Sequence, residues 1–300
     1  MMNTGVLPKI TSIGNELDLR APAFGELRRT NDIVNDGNAL RKRLAEDGYL
    51  FLPGLLSVGE VQAARQFVVD QLAELGLLDE AHDRLLAVHK VGVNRAFAPE
   101  CLTQHNHALQ QVLYHGAMLE FYTRLLGGPV RFFNYTWFRV VTAGGHGTYP
   151  HCDVVYMGRG TFQLYTSWTP IGNISLATGG LMILENSHRQ QDKLRNYLQR
   201  DVDTYCTNGK MQPDWDGRLA SNPVALREKL GGRWLTTEYQ MGDVLVFGMG
   251  TVHASLDNQS NGYRLSADSR YQLASEPVDE RWIGANPLKH GSKAKRGRIC

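Results

Sequence analysis

Residues 243–272, DVLVFGMGTVHASLDNQSNGYRLSADSRYQ, contain the strongest fold signal in this chain. The segment begins with an apolar run that is typical of a buried strand and that leads directly to His253. A polar turn over residues 257–262 follows, and polar and apolar side chains then alternate from Arg264 to Tyr271. We therefore predict two strands joined by a short turn, which brings Arg264 back beside His253.

Four further strand-like segments lie between residue 130 and this hairpin. They are rich in β-branched and aromatic residues, are separated by Gly, Pro and Asn turns, and cover residues 130–143, 160–171, 179–187 and 233–239. Patterns typical of helices precede them, at residues 38–47, 57–76 and 109–127. Helices followed by a run of strands predict an α+β fold with a mainly β core, rather than alternating βαβ units.

The composition is that of an ordinary globular protein. The chain has 300 residues, of which 42% are hydrophobic and 21% charged, which is enough for one large domain or two modest ones. A formal net charge of +2 gives no global field, so neither nucleic acid nor a membrane is an expected partner. The four cysteines are widely spaced, and the N-terminal residues lack the apolar segment of a secretory signal. These features predict a cytoplasmic protein.

The predicted domain organisation has three parts. Residues 1–36 lack a sustained period and are expected to form an N-terminal extension that packs on the surface or is partly mobile. Residues 37–285 would form a single domain, interrupted at about 188–232 by a polar insertion. An insertion of this length is either a lid over the site or a surface decoration. Residues 286–300 would form a basic, solvated C-terminal tail.

An H-x-D triplet supplies the candidate metal ligands. It consists of His151, Cys152 and Asp153, and His253 lies at the end of a predicted strand about a hundred residues later. On a strand, residues i and i+2 point to the same side, so His151 and Asp153 would reach one metal while Cys152 points away. Two imidazoles and one carboxylate suit non-haem Fe(II) and leave coordination positions open. Zinc accepts the same ligands and is the main alternative.

Arg264 and Ser255 would extend this site. A guanidinium binds a carboxylate through two hydrogen bonds, and Ser255 lies two residues after His253, on the metal side of the same strand. A dicarboxylate co-substrate would therefore be held by Arg264, with help from the Ser255 hydroxyl. A structural ion pair is the alternative role for such residues, and it is the role that we expect for Asp268 and Arg270.

Several segments resemble the phytanoyl-CoA dioxygenase family of Fe(II)/2-oxoglutarate oxygenases. They are EDGYLFLPGLLSVGEV at 46–61, HCD at 151–153, GGLMILENSH at 179–188, GDVLVFGMGTVHASLDNQS at 242–260 and RLSADSRYQ at 264–272. Together they span most of the chain in the order that the family shows. The resemblance implies a distorted double-stranded β-helix (a jelly roll) with N-terminal helices packed on it.

The resemblance also implies roles for individual residues. The iron ligands would be His151, Asp153 and His253. Arg264 would bind the distal carboxylate of 2-oxoglutarate, with Ser255 assisting, and Trp168 would line the co-substrate site. The implied cofactors are Fe(II), 2-oxoglutarate and O2.

The expected reaction is hydroxylation of a small or medium-sized organic substrate. Related halogenases have Gly or Ala in place of the carboxylate ligand, so the presence of Asp153 favours hydroxylation. Desaturation or cyclisation with the same ligands stays open. A different class of function, a metal-binding jelly roll that acts as a zinc hydrolase or a binding module, stays open as well.

Overall fold

The structure is a computed structural model that describes residues 9–93, 97, 99–203, 206–207, 210–211 and 215–290. Its strands are β1 (Thr11–Ser12), β2 (Asn15–Glu16), β3 (Phe24–Glu26), β4 (Tyr49–Leu52), β5 (Val130–Phe132), β6 (Trp137–Val141), β7 (Tyr165–Pro170), β8 (Leu181–Leu184), β9 (Cys206–Thr207), β10 (Lys210–Met211), β11 (Trp234–Thr236), β12 (Val244–Gly248), β13 (His253–Ser255) and β14 (Arg264–Leu273). Its α-helices are α1 (Gly37–Asp47), α2 (Val58–Glu74), α3 (His107–Tyr114), α4 (Gly116–Leu126), α5 (Val154–Met157), α6 (Gln191–Leu198) and α7 (Pro223–Leu230).

Two β-sheets form the core. In the larger sheet β4, β12, β7 and β14 lie side by side, and both β5 and β6 pair with β14. The smaller sheet has the order β13-β8-β11-β3, in which only the β11–β3 pair is parallel. Leu181 and Ile183 of the smaller sheet share a buried cluster with Trp168, Leu245 and Phe247 of the larger one. The two sheets therefore face each other.

The alternation of side chains along β12 explains how the larger sheet is covered on both faces. Leu245 and Phe247 point between the sheets, whereas Val244 and Val246 belong to a second buried cluster that contains apolar residues of α1 to α4. The helices thus cover the outer face of the larger sheet. This arrangement confirms the predicted mainly β core with N-terminal helices packed on it.

The helix boundaries follow from the capping residues. Ser57 accepts a hydrogen bond from the backbone N–H of Glu60 at the start of α2. Helix α1 ends at Asp47 and is followed by Gly48, whose φ of 80° favours glycine. The prediction of one helix over residues 109–127 was wrong. His115 is extended between α3 and α4, and Gly116 has a φ of 49°, so the chain turns there and forms two shorter helices.

The segments that flank or interrupt the predicted domain also pack against it. Within the first 36 residues, β3 pairs with β11 and Ile10 is buried. In the insertion, Leu194 on α6 and Leu226 on α7 are buried against apolar residues of the smaller sheet. Most of the basic tail lies outside the described residues. The boundaries at 36 and 285 stay predictions. Among the helices that the structure describes, none is long and apolar enough to cross a membrane.

Candidate metal centre

His151 and His253 face each other across an isolated antiparallel bridge. Each backbone N–H donates to the other's carbonyl at 3.0 Å, and the ring centroids are 4.1 Å apart. His253 is the first residue of β13, as the sequence predicts for the end of an apolar run. The two backbone hydrogen bonds of the bridge therefore hold the two imidazoles next to each other.

The hydrogen bond made by Nδ1 of each histidine sets the tautomer of that ring. The Nδ1 atom of His151 lies 2.7 Å from the carbonyl oxygen of Tyr149, and that of His253 lies 3.0 Å from the carbonyl oxygen of Thr251. A carbonyl only accepts, so both Nδ1 atoms carry the proton and both Nε2 atoms present a lone pair. Burial, followed by the proximity of His253, lowers the pKa of His151 to about 3, so the ring is neutral at physiological pH.

Asp153 completes the group from a helical turn. The predicted extended geometry was wrong at this residue, because Asp153 has φ −65° and ψ −23° and directly precedes the short helix α5. Its Oδ1 atom nevertheless lies 3.7 Å from Nε2 of His151 and 3.6 Å from Nε2 of His253. Cys152 points away, as predicted, and its buried thiol packs with apolar side chains.

Asp153 is held by Arg270 and Thr166, which the sequence did not link to it. Nη2 of Arg270 lies 3.1 Å from Oδ2, and the Thr166 hydroxyl donates to the same oxygen. Burial alone would raise the pKa of the Asp153 carboxyl, but Arg270 beside it holds that pKa below its ordinary value. Oδ1 is therefore left to face the two histidines as a carboxylate.

The ligand atoms of His151, Asp153 and His253 all lie within 4.8 Å of one another, and all three residues are buried. Within the part of the chain that the structure describes, no other group of at least three His, Cys, Asp or Glu side chains meets the same geometry. Two imidazole lone pairs and one carboxylate oxygen are a ligand set that suits both Fe(II) and Zn(II). The observed atoms therefore fit a divalent transition metal.

Arg264 lines the cavity that contains the three metal-ligand side chains, and it is buried without an ion pair. Its side chain is 2% exposed, Nη1 donates to Ser266 at 2.9 Å and Nη2 donates to Ser255 at 3.3 Å. Nε has no hydrogen-bond partner, and none of the ion pairs among the described residues includes Arg264. Burial, followed by the charge of Arg139, lowers the pKa of Arg264 to about 10, so the group stays charged at neutral pH.

Ser255 and Trp168 occupy different positions around this arginine. The Ser255 hydroxyl oxygen accepts from the backbone N–H of Thr148 at 2.7 Å as well as from Arg264, so it orients the guanidinium. Trp168 on β7 lines the cavity and packs against Tyr239 behind it, with ring centroids 4.7 Å apart. Ser255 is not among the residues that line the cavity.

The inner face of β14 contributes more to the cavity than the sequence indicated. Arg264, Asp268 and Arg270 share one face of the strand, as the alternation predicted. All three line the cavity, and Arg139 on the neighbouring strand β6 joins them. The expected ion pair between Asp268 and Arg270 is present but long, at 3.9 Å. Asp268 lies closer to Nε of Arg139, at 3.2 Å, and Arg270 lies closer to Asp153. The polar stripe was visible in the sequence, but its partners on β6 and α5 were not.

The end of the insertion lies against the loop that carries the metal ligands. The Tyr156 hydroxyl donates to the carbonyl of Asp216 at 2.6 Å, and the N–H of Leu219 donates to the carbonyl of Pro150 at 2.8 Å. Tyr197 on α6 accepts from the N–H of Cys152. The insertion therefore contacts both sides of the H-x-D triplet.

Comparison with known proteins gives a consistent picture. A family model described as phytanoyl-CoA dioxygenase (PhyH) matches residues 44–266. A 1-deoxypentalenic acid 11-beta-hydroxylase from Streptomyces exfoliatus is 24% identical over 253 residues, which are 81% of this chain and 83% of the relative. The enzyme of the same name from Streptomyces arenae is 24% identical over 266 residues, or 84% of this chain and 87% of the relative.

Two solved structures show the same fold. The non-haem α-ketoglutarate-dependent carbocyclase SnoK from nogalamycin biosynthesis has a TM-score of 0.57 at 19% identity and covers 86% of this chain and 95% of its own. EctD from S. alaskensis, solved with 2-oxoglutarate and 5-hydroxyectoine, has a TM-score of 0.56 at 17% identity and covers 94% of this chain and 90% of its own. The predicted double-stranded β-helix is therefore confirmed.

Proposed function

The chain belongs to the phytanoyl-CoA dioxygenase family, and we propose that it is an Fe(II)- and 2-oxoglutarate-dependent dioxygenase that hydroxylates a small or medium-sized organic molecule. Succinate and carbon dioxide would be the other products. The names of the two curated relatives, both hydroxylases, support hydroxylation over desaturation or cyclisation. The spacing of the cysteines supports a cytoplasmic location for this activity.

One observation carries the proposal: a buried guanidinium without a carboxylate partner lies in the same cavity as the His-Asp-His group. Burial of a charged group is costly unless its hydrogen-bond donors are satisfied, so a buried guanidinium with an unpartnered donor favours a ligand that supplies the counter-charge. Arg65 shows the contrast, because it is also buried but donates to the carbonyls of Leu85 and Ile171. In Arg264 the Nε donor has no partner and the two Nη atoms donate only to hydroxyls, so this guanidinium fits an anionic co-substrate.

Each residue of the cavity would then have a defined task. His151, His253 and Oδ1 of Asp153 would hold the iron, while Arg270 and Thr166 keep Oδ2 of that carboxylate in place. Arg264 would bind the distal carboxylate of 2-oxoglutarate, oriented by Ser255, and Trp168 would form a wall of the co-substrate site. When bound, Fe(II), 2-oxoglutarate and O2 supply the oxidising chemistry, while the protein positions the reactants and excludes water.

A zinc hydrolase or a binding module uses the same three metal ligands and is the alternative function. Arg264 argues against it, because hydrolysis at a metal-bound water needs no buried cation beside the metal. The arrangement of Arg264 instead matches the requirement for a dicarboxylate.

Succinate formation tests the proposal directly. Protein purified without oxygen is loaded with Fe(II) and 2-oxoglutarate, exposed to O2, and assayed for succinate without added substrate. We expect slow uncoupled turnover in the wild type and none in His151→Ala or Asp153→Ala. Arg131→Gln serves as a matched control, since Arg131 lies on β5 and does not line the cavity. Absence of turnover, together with metal binding that persists in Asp153→Ala, would contradict the proposal.

We also propose that the insertion at about 188–232 acts as a lid rather than as a decoration. Contacts from Asp216 and Leu219 to the metal-binding loop support this role. Hydrogen exchange of the 215–219 backbone tests it, and protection should increase when Fe(II) and 2-oxoglutarate bind. Exchange that does not respond to the co-substrate would favour the decoration.

A further inference from the structure

The charges of the metal cavity do not balance. Three guanidinium groups line it, from Arg139, Arg264 and Arg270, against the two carboxylates of Asp153 and Asp268. In the loaded site the two histidines are neutral, because Nε2 binds the metal and Nδ1 carries the only ring proton, which it donates to a carbonyl. Under the proposed function, on which this inference rests, a divalent cation and a doubly charged co-substrate enter and cancel each other. One positive charge therefore remains when the site is loaded.

Arg139 is the most exposed of these three guanidinium groups. Arg264 and Arg270 are each 2% exposed, whereas the side chain of Arg139 is 40% exposed. Arg139 is joined to Asp268 through Nε at 3.2 Å. No hydrogen bond from either of its Nη atoms is present among the described residues. Two donors on one edge of a planar guanidinium match the two oxygens of a carboxylate.

Aromatic side chains lie beside Arg139. Trp137 lies two residues earlier on β6, on the same face of the strand, and it stacks on Arg270 with the guanidinium carbon 4.5 Å from the ring centroid. Tyr156 packs edge-on against His151, with ring centroids 5.4 Å apart. Both rings are only partly buried. A ligand that reaches Arg139 would therefore lay an apolar body near these rings and the metal.

We propose that Arg139 binds a carboxylate of the substrate, which is therefore an organic acid with an apolar body. The carboxylate balances the excess positive charge of the loaded cavity, binds the free Nη atoms of Arg139 and fixes the substrate at one end. The apolar body then lies over the metal group, which determines the carbon atom that reacts. Arg139 is thus a binding residue that sets specificity, distinct from Arg264, which serves the co-substrate.

Matched acids and amides test this role without knowledge of the natural substrate. Wild-type protein loaded anaerobically with Fe(II) and saturating 2-oxoglutarate is titrated by calorimetry with decanoate or decanamide, and with cyclohexanecarboxylate or its amide. Each pair has the same apolar body and differs in charge. We expect the acid of at least one pair to bind on the order of ten- to a hundredfold more tightly, as a hydrogen-bonded ion pair provides. An equal affinity within both pairs, including no binding at all, would overturn the proposal.

Variants assign the preference to Arg139. In Arg139→Gln the acid should bind as weakly as the amide, while amide affinity and 2-oxoglutarate affinity stay at the wild-type level and show that the pocket is intact. Arg139→Lys keeps the charge and should retain part of the preference, and Arg131→Gln should retain all of it. A preference that survives in Arg139→Gln would overturn the inference.

The affinity for 2-oxoglutarate separates this inference from the proposed function. If Fe(II)-loaded wild type does not bind 2-oxoglutarate, the proposed function fails and the inference fails with it. If 2-oxoglutarate binds and no acid is preferred, only the inference about Arg139 fails.

Discussion

The two faces of β14 have opposite chemistry, although both are buried. Leu265 and Tyr271 on the outer face belong to the apolar cluster beneath the helices. Arg264, Asp268 and Arg270 on the inner face line the metal cavity. Apolar burial stabilises the fold, whereas burial of charge is costly unless it is compensated. The outer face of this strand therefore stabilises the fold, and the inner face serves binding.

The inner face itself contains two kinds of arginine. Arg270 has the Asp153 carboxylate at 3.1 Å, so its charge is compensated within the chain. Arg264 contacts two hydroxyls and no carboxylate. The first should matter to the folded protein before any ligand arrives, and the second should matter only when the co-substrate binds. Substitutions on β14 can therefore separate three contributions: apolar packing, internal charge compensation and ligand binding.

The largest effect is expected for Arg270→Leu. Removal of one partner of a buried ion pair leaves Asp153 uncompensated, which costs about 3–5 kcal/mol in the free energy of unfolding of the metal-free protein. A bound divalent metal replaces the lost positive charge, so the loss should be smaller in the Fe(II)-loaded protein. Urea denaturation with and without anaerobic Fe(II) measures both values. A loss of equal size in both forms would show that Arg270 does not act through Asp153.

Leu265→Ala should have the next largest effect on stability and should leave co-substrate binding unchanged. The side chain is fully buried under the helices, so its truncation should cost about 2–5 kcal/mol in the free energy of unfolding. Because Leu265 points away from the cavity, the affinity of the folded protein for 2-oxoglutarate should not change. Denaturation and calorimetry at a temperature where the variant is folded check the two statements. A weaker co-substrate affinity would show that the two faces of β14 are coupled.

Arg264→Gln should have the opposite pattern of effects, with weaker co-substrate binding and unchanged stability. Loss of a charged, two-point contact should weaken 2-oxoglutarate binding on the order of ten- to a hundredfold, or about 1.5–3 kcal/mol. The free energy of unfolding without co-substrate should not fall, because the wild-type guanidinium has no carboxylate partner to lose. Arg264→Lys is the matched control and should give an intermediate affinity, since an ammonium group lacks the planar fork. Unchanged affinity in both variants would remove Arg264 from the co-substrate site.

The sequence predicted the strands and the position of Arg264 better than the arrangement of side chains around the Asp153 carboxylate. Alternation along β14 sufficed to place Arg264 and Asp268 on the same face of the strand, because a side-chain period of two is a local property. The H-x-D spacing predicted a shared metal for His151 and Asp153. The geometry behind it differs, because Asp153 reaches the metal group from a helical turn.

The contacts that the sequence missed are all between distant segments. Arg139 on β6 reaches Asp268 because the two strands pair, and Arg270 reaches Asp153 because α5 lies over the inner face of β14. Neither the register between β6 and β14 nor the position of the four-residue helix α5 follows from a local sequence pattern. The break between α3 and α4 was missed for another reason: one glycine in a helical pattern is usually tolerated, and Gly116 here adopts a positive φ.

Ser255→Ala gives the smallest expected effect and tests how Arg264 is held. The hydroxyl oxygen accepts from the N–H of Thr148 and from Nη2 of Arg264, so the substitution removes the partner of one partly buried and one buried donor. We expect a loss of about 1 kcal/mol in the free energy of unfolding and less than a tenfold loss of 2-oxoglutarate affinity. Ser266→Ala is the matched control, because Ser266 accepts from Nη1 of the same guanidinium and does not contact Thr148. If Ser255→Ala weakens the co-substrate as strongly as Arg264→Gln, the hydroxyl binds 2-oxoglutarate itself; if only stability changes, it acts on the arginine alone.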